Sequence, residues 1–172
     1  VCDLIPLTGV NRIFVKAGLE QLRKTKRVGL NTLIKHAGII KEDIDVYDLG
    51  HIIGPRINAI GRLTHAIDAL RLLCTNDKIR AMSLSEKLYD LNKKRQIMTE
   101  EAVILAKGMV INKTGLIFIS HESFQTGIIG LIAGRLTQDA NLPSIVIAKG
   151  EKISKASARS IKGIDIVAII RK

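Results

Sequence analysis

Between Asp77 and Val110 the chain contains no proline, and no glycine before Gly108. A run of that length without a breaker predicts one helix of about 50 Å at 1.5 Å per residue. Leu84, Leu88, Leu91, Met98, Ala102 and Leu105 recur in alternating steps of four and three, with Arg95 the one break. That stripe predicts a narrow packing seam rather than a binding surface, which suits a connecting helix.

The texture differs on either side of this helix. Upstream, a short apolar start and a turn at Thr8-Gly9 precede a predicted helix over Arg12–Thr25, buried through Leu19 and Leu22. Arg23, Lys24, Lys26 and Arg27 close it as a solvated basic turn. A second helix is predicted over Leu30–Ala37, with Gly38 as its stop signal. Downstream, the short apolar runs Leu116–Ile119 and Ser144–Ala148 suit buried strands. A helix over Gly127–Asp139 and another from Asp165 are expected to cover them, giving a small α/β body. The fold class is α/β, with expected parts 1–75, 76–111 and 112–172.

Lys and Arg number 27 against 16 Asp and Glu, a net charge of +11, and the pI is near 9.9. Such a balance favours a polyanionic partner, with charge that serves only solubility as the alternative reading. No long apolar span or basic anchor helix points to a membrane. Cys2 and Cys74 form no Cys-x-x-Cys pair and the four histidines stand singly, so the sequence offers neither a disulfide framework nor a zinc site, and a reduced, cytoplasmic setting is expected. Val1-Cys2-Asp3 reads as the interior of a longer protein rather than a signal peptide.

Three groups of residues have chemistry beyond packing. Asp3 sits in the apolar run Cys2–Leu7, where a carboxylate needs a metal, a cation or hydrogen bonds; helix capping serves equally well as a reading. Gly54-Pro55-Arg56-Ile57-Asn58-Ala59-Ile60-Gly61-Arg62 offers two guanidiniums and an amide, read as a loop around a short helix. The planar fork of arginine matches phosphate oxygens, although solvated surface arginines would look the same. In Lys155–Gly163 hydroxyls alternate with cations, and alternation puts Ser157 and Arg159 on one face of an extended segment, fit either for a terminal phosphate or for an edge strand guarded by charge. Between these lies a glycine-rich strand-to-helix turn, Phe124–Arg135. Glycines there allow close approach to a phosphate, but for Gly130 and Gly134 tight packing on the sheet is the expected reason.

In this order the motifs resemble the RecJ single-strand DNA exonucleases of the DHH phosphoesterase superfamily. Asp3–Leu7 with Asn11-Arg12 resembles the last catalytic-domain motif, and Gly54–Arg62 the Gly-Pro-Arg-x-Asn-Ala-x-Gly-Arg segment. Leu91–Gln96 resembles the connecting helix, Gly127–Leu136 the helix of the DHH-associated domain, and Ser157–Ser160 its phosphate-binding strand. The resemblance implies the C-terminal end of a DHH domain, a long connecting helix and a small α/β DHH-associated domain. No Asp-His-His triplet occurs, and Phe124-Gln125 stands where the family usually has Trp followed by His or Asn.

Also implied is a 5′→3′ exonuclease of DNA repair and recombination, using two Mn²⁺ or Mg²⁺ ions, with most metal ligands outside this chain. Asp3 would be a metal ligand. Arg62, with Asn58, would neutralise charge on the scissile phosphate, and Arg56, Ser157, Arg159 and Ser160 would bind single-stranded DNA and its 5′ phosphate. With two Tyr, three Phe and no Trp, backbone contacts should outweigh base stacking. Two other functions stay open: a non-catalytic single-strand-binding module, and a small-nucleotide phosphodiesterase, which the missing Gly-Gly-Gly-His disfavours.

Overall fold

The computed structural model describes residues 1–2, 5–111 and 115–171. Two compact units divide between Lys94 and Arg95.

The first unit is helical. Helix α1 (Gly9–Arg23) and α2 (Val28–His36) are followed by a 3₁₀ turn (Lys41–Asp43) and a π-helical turn (Asp48–Ile53). Then come α3 (Gly54–Leu63), α4 (Ile67–Cys74) and the start of α5 (Lys78–Met109). Their core gathers Leu19, Leu33, Ile34, Ile44, Ile60 and Leu72 with Ala81 and Leu88 of α5. Gly38 ends α2 as expected: its φ is +71°, a region open to glycine without steric cost, and its amide donates back to the Lys35 carbonyl at 3.1 Å. The basic end of α1 is solvated at Lys24, Lys26 and Arg27, which are exposed, but not at Arg23, which is half-buried. Arg23 donates through Nε and Nη2 to the Ile44 carbonyl at 3.0 and 2.7 Å, and Arg27 Nη2 to the Leu73 carbonyl at 2.9 Å. Two of its four cations thus donate to backbone carbonyls, Leu73 among the last carbonyls of α4.

The second unit is α/β. Strands β1 (Ile117–His121) and β2 (Ser144–Ala148) are parallel and joined through α6 (Ile129–Ala140), and β3 (Lys155–Arg159) pairs antiparallel to β2. The core packs Ile117, Ile119 and Val146 against Ile128, Ile132 and Leu136, with Ala102 and Ala106 of α5 beneath. Asn141 ends α6 in the left-handed region at φ 52°, which asparagine tolerates better than most residues. Asp165 caps α7 (Ile166–Ile170) by accepting from the amides of Val167 and Ala168. Against expectation, α7 does not bury an apolar face on the sheet, because Val167, Ile169 and Ile170 all stay exposed.

Helix α5 runs over the predicted range, but its buried stripe has a different phase. Ala81, Ser85, Leu88, Asn92, Ala102 and Ala106 are the buried positions, and Leu105 is exposed. Leu84, Leu91 and Met98 sit half-buried beside the stripe. Leu88 and Ala102 are common to the expected and the buried stripe; a leucine count follows the largest apolar side chains, whereas close packing against a helix also selects small ones, so Ala81, Ser85 and Ala106 join them.

Candidate nucleic-acid interface

Strand register decides how β3 presents its side chains. Ser157 lies opposite Val146 and Arg159 opposite Ser144, both of these β2 residues being fully buried. Directly opposed residues project to the same side of an antiparallel pair. Ser144 marks that side: its hydroxyl donates to the Ala133 carbonyl of α6 at 2.7 Å. Ser157 and Arg159 therefore share the face covered by α6, as alternation predicts.

The first turn of α6 meets them there. A β-carbon on Gly130, the second residue of the helix, would stand 3.2 Å from Ser157 Oγ and 3.4 Å from Arg159 Nη2. Among the described residues the N-cap, Ile128, makes no side-chain cap hydrogen bond and the first turn has no acidic residue, which leaves the positive end of the helix dipole suited to an anion. Arg159 is steadied by donating from Nη1 to the Ala158 carbonyl at 3.1 Å. The two glycines of α6 are not equivalent, because a β-carbon on Gly134 would have nothing within 4 Å. Gly130 is the residue that sequence reasoning set aside as packing. Its signal, a glycine in the first turn after a strand-to-helix crossover, gains meaning only once β3 is seen to pass the same point.

Ser160 does not join this group. It follows the last residue of β3, and its hydroxyl donates to the Ile164 carbonyl at 2.7 Å, closing the turn that leads to α7. Phe124 is 3% exposed and belongs to the core, with the His121 ring tilted against it at 5.5 Å; it is no stacking platform.

In the first unit, Gly54–Leu63 is one continuous helix with Pro55 in its first turn, rather than a loop around a short one. Proline costs little there, since first-turn amides have no intrahelical acceptor. Asn58 and Arg62, four residues apart, lie on one face, and Arg56 lies roughly 120–160° round the helix from them at 100° per residue. Arg56 shares its face with fully buried Ile60 and turns inward. It donates from Nη1 to the Ile52 carbonyl at 2.8 Å and sits 6.0 Å from the centre of the Tyr89 ring, which meets His36 edge-on. Burial lowers the guanidinium from the ordinary arginine value, and Tyr89 acts in the other direction. Arg62 is exposed. The helix thus separates the two arginines that the linear motif groups together.

Asp3 lies outside the described residues. Its neighbour Cys2 is docked on the start of α3: Cys2 Sγ donates to the Leu49 carbonyl at 3.5 Å, and a β-carbon on Gly54 would stand 2.5 Å from that sulfur. One Asp-x-Asp spacing is present, Asp43-Ile44-Asp45, but Asp45 Oδ1 accepts from the amides of Tyr47 and Asp48 at 2.7 and 3.1 Å and serves as a turn cap. Among the described residues no three or more His, Cys, Asp or Glu side chains gather to hold a metal ion. The described residues therefore do not by themselves fit a two-metal centre. No helix among them is long and apolar enough to cross a membrane.

In class, this is a mixed α/β chain in two units, with a hydroxyl and a guanidinium presented on a strand beside an uncapped helix N-terminus. No family profile matches the chain, but individual proteins do. It is 34% identical over 172 residues to the single-stranded-DNA-specific exonuclease RecJ of Bacillus subtilis, covering 96% of this chain and 22% of that protein. To the RecJ of Thermus thermophilus it is 32% identical, covering 99% of this chain and 25% of that protein. Crystal structures of Thermus thermophilus RecJ in complex with Mg²⁺ and with Mn²⁺ superpose with a TM-score of 0.90 at 31% identity, over 99% of this chain and 27% and 25% of theirs. The chain belongs to the RecJ family, and it spans about a quarter of the length of these relatives.

Proposed function

We propose that this chain forms the strand-holding part of a single-stranded-DNA-specific exonuclease that hydrolyses phosphodiester bonds 5′→3′ in DNA repair and recombination, in the cytoplasm. The observation that carries this reading is the meeting of Gly130, Ser157 and Arg159 at the start of α6. A hydroxyl, a guanidinium and a helix N-terminus are together the donor set a phosphate monoester requires. A strand end is where such a group occurs in DNA, so a seat for it sets polarity.

Ser157 and Arg159 hold the terminal phosphate in this reading. Arg62 neutralises charge on the scissile phosphate, and Asn58, one turn away on the same face of α3, orients it. Arg56 supports α3 from within, and Ser160 supports the end of β3. The RecJ relatives crystallised with Mg²⁺ and Mn²⁺ support divalent ions in the whole protein, where they would activate water and stabilise the leaving oxygen; Asp3 is the residue of this chain proposed as a ligand. Parts 1–75, 76–111 and 112–172 are proposed as the end of a DHH domain, the connecting helix and the DHH-associated domain.

The test is a pair of oligonucleotides differing only in a 5′ phosphate. Arg159→Ala is expected to weaken binding of the phosphorylated strand by about tenfold or more and that of its 5′-hydroxyl twin much less, at about 1.5–3 kcal/mol for a charge-assisted bond. Equal losses for both strands would mean that β3 makes generic backbone contacts.

A further inference from the structure

Most exposed aromatic rings of this chain have an evident use. Tyr89 is taken by Arg56 and His36. Phe14 lies beside exposed Val10 and Ile13 of α1, and Phe118 opposite half-buried Ile145 in the sheet, so both belong to apolar faces. Tyr47, 62% exposed, stands instead among polar residues, and its ring meets that of His51 at 4.7 Å between centres and 54° between planes. The backbone beneath the pair is pinned. Asp45 Oδ1 accepts from the amides of Tyr47 and Asp48 at 2.7 and 3.1 Å, and Asp48 Oδ2 from the amide of Asp45 at 3.0 Å. A solvated ring held in place in advance loses little freedom when it takes a ligand.

The pair also shares a face with the polar residues of α3. Backbone from 46 to 63 is helical without a break, the π-helical turn running straight into α3. At about 100° per residue, Tyr47, His51, Asn58 and Arg62 fall within a sector of roughly 60°. All four are exposed, whereas Ile53 and Ile60, on the opposite side, are buried. Two rings, an amide and a guanidinium thus line one outward face over about 20 Å. Asp45 and Asp48 beside the rings repel phosphate, so that end of the face suits a base and leaves the backbone to Arg62. From this arrangement we infer that Tyr47 and His51 form a stacking platform for a base of single-stranded DNA, at the far end of the face that carries Asn58 and Arg62. Every base has a π-face, so the platform is indifferent to sequence.

The inference rests on the strand-holding reading above, and the experiment separates the two. Affinities of the 172-residue chain are measured for a short single strand and for an abasic twin of equal length and charge. The wild type is expected to prefer the base-bearing strand by about tenfold, and Tyr47→Ala to cut that preference by about fivefold or more while leaving abasic binding nearly unchanged. Tyr47→Phe, which keeps the ring, should retain the preference, as should Phe14→Ala, which removes an exposed ring elsewhere. Failure of the wild type to bind either strand would overturn the strand-holding reading itself. With wild-type binding intact, a preference near one, an equal loss for both strands in Tyr47→Ala, or no loss at all would each refute the platform and leave that reading standing. The chain has no Trp, so Tyr47→Trp places its sole indole on the platform. Its fluorescence should be quenched by the base-bearing strand and not by the abasic twin. Unchanged emission on binding, or the same change with both strands, would sink the inference even where Tyr47→Ala fails to fold.

Discussion

Gly29 of α2 and Leu72 of α4 approach so closely that a β-carbon on Gly29 would overlap the Leu72 carbonyl oxygen. Leu72 is fully buried, and the oxygen is backbone, so no rotamer change relieves the overlap.

Gly29→Ala is therefore expected to destabilise the protein by about 3 kcal/mol, the upper part of the overpacking range, even though alanine is the better helix former. The urea midpoint should fall accordingly. A stability equal to or above wild type would show that α2 and α4 can separate at little cost.

Asp68 accepts from Lys87 at 2.6 Å and from Arg71 at 2.8 Å. These hydrogen bonds, Lys87 first, hold its carboxyl below the ordinary carboxylate value. A group depressed in the folded state contributes stability above its unfolded pKa and loses it as pH falls through the folded value. Melting temperature should thus drop as pH is taken below about 4, and Asp68→Asn should flatten that part of the profile. High salt should weaken the effect, since Lys87 and Arg71 are solvent-exposed. A profile identical to wild type would show that the network contributes nothing.

The two arginines of α3 should separate in two measurements. Arg56→Ala removes the bond to the Ile52 carbonyl and the contact with Tyr89, and should cost about 2 kcal/mol of stability. It should leave the salt dependence of single-strand binding unchanged. Arg62→Ala should lower the slope of log affinity against log salt by about 0.7, the counterion release for one single-strand phosphate contact. A loss of slope in Arg56→Ala would show that the side chain swings outward to DNA.

Much of the architecture follows from local rules. The absence of breakers from Asp77 to Gly108 dictates α5, the apolar run Ser144–Ala148 coincides with β2, and Gly38 stops α2, because propensity, burial periodicity and left-handed backbone depend on nearest neighbours. Two-residue alternation likewise puts Ser157 and Arg159 on one face. Long-range packing decided what those rules could not reach. Gly130 and Gly134 look alike in sequence, since what separates them is the strand passing one and not the other. Arg56 and Arg62 read as a matched pair because a linear motif has no faces; the 3.6-residue turn of α3 sends one against Tyr89 and the other to the surface. The buried stripe of α5 keeps Leu88 and Ala102 of the expected positions but takes Ala81, Ser85, Asn92 and Ala106 in place of Leu84, Leu91, Met98 and Leu105, because the partner's surface, not the residue's own hydrophobicity, sets which positions touch.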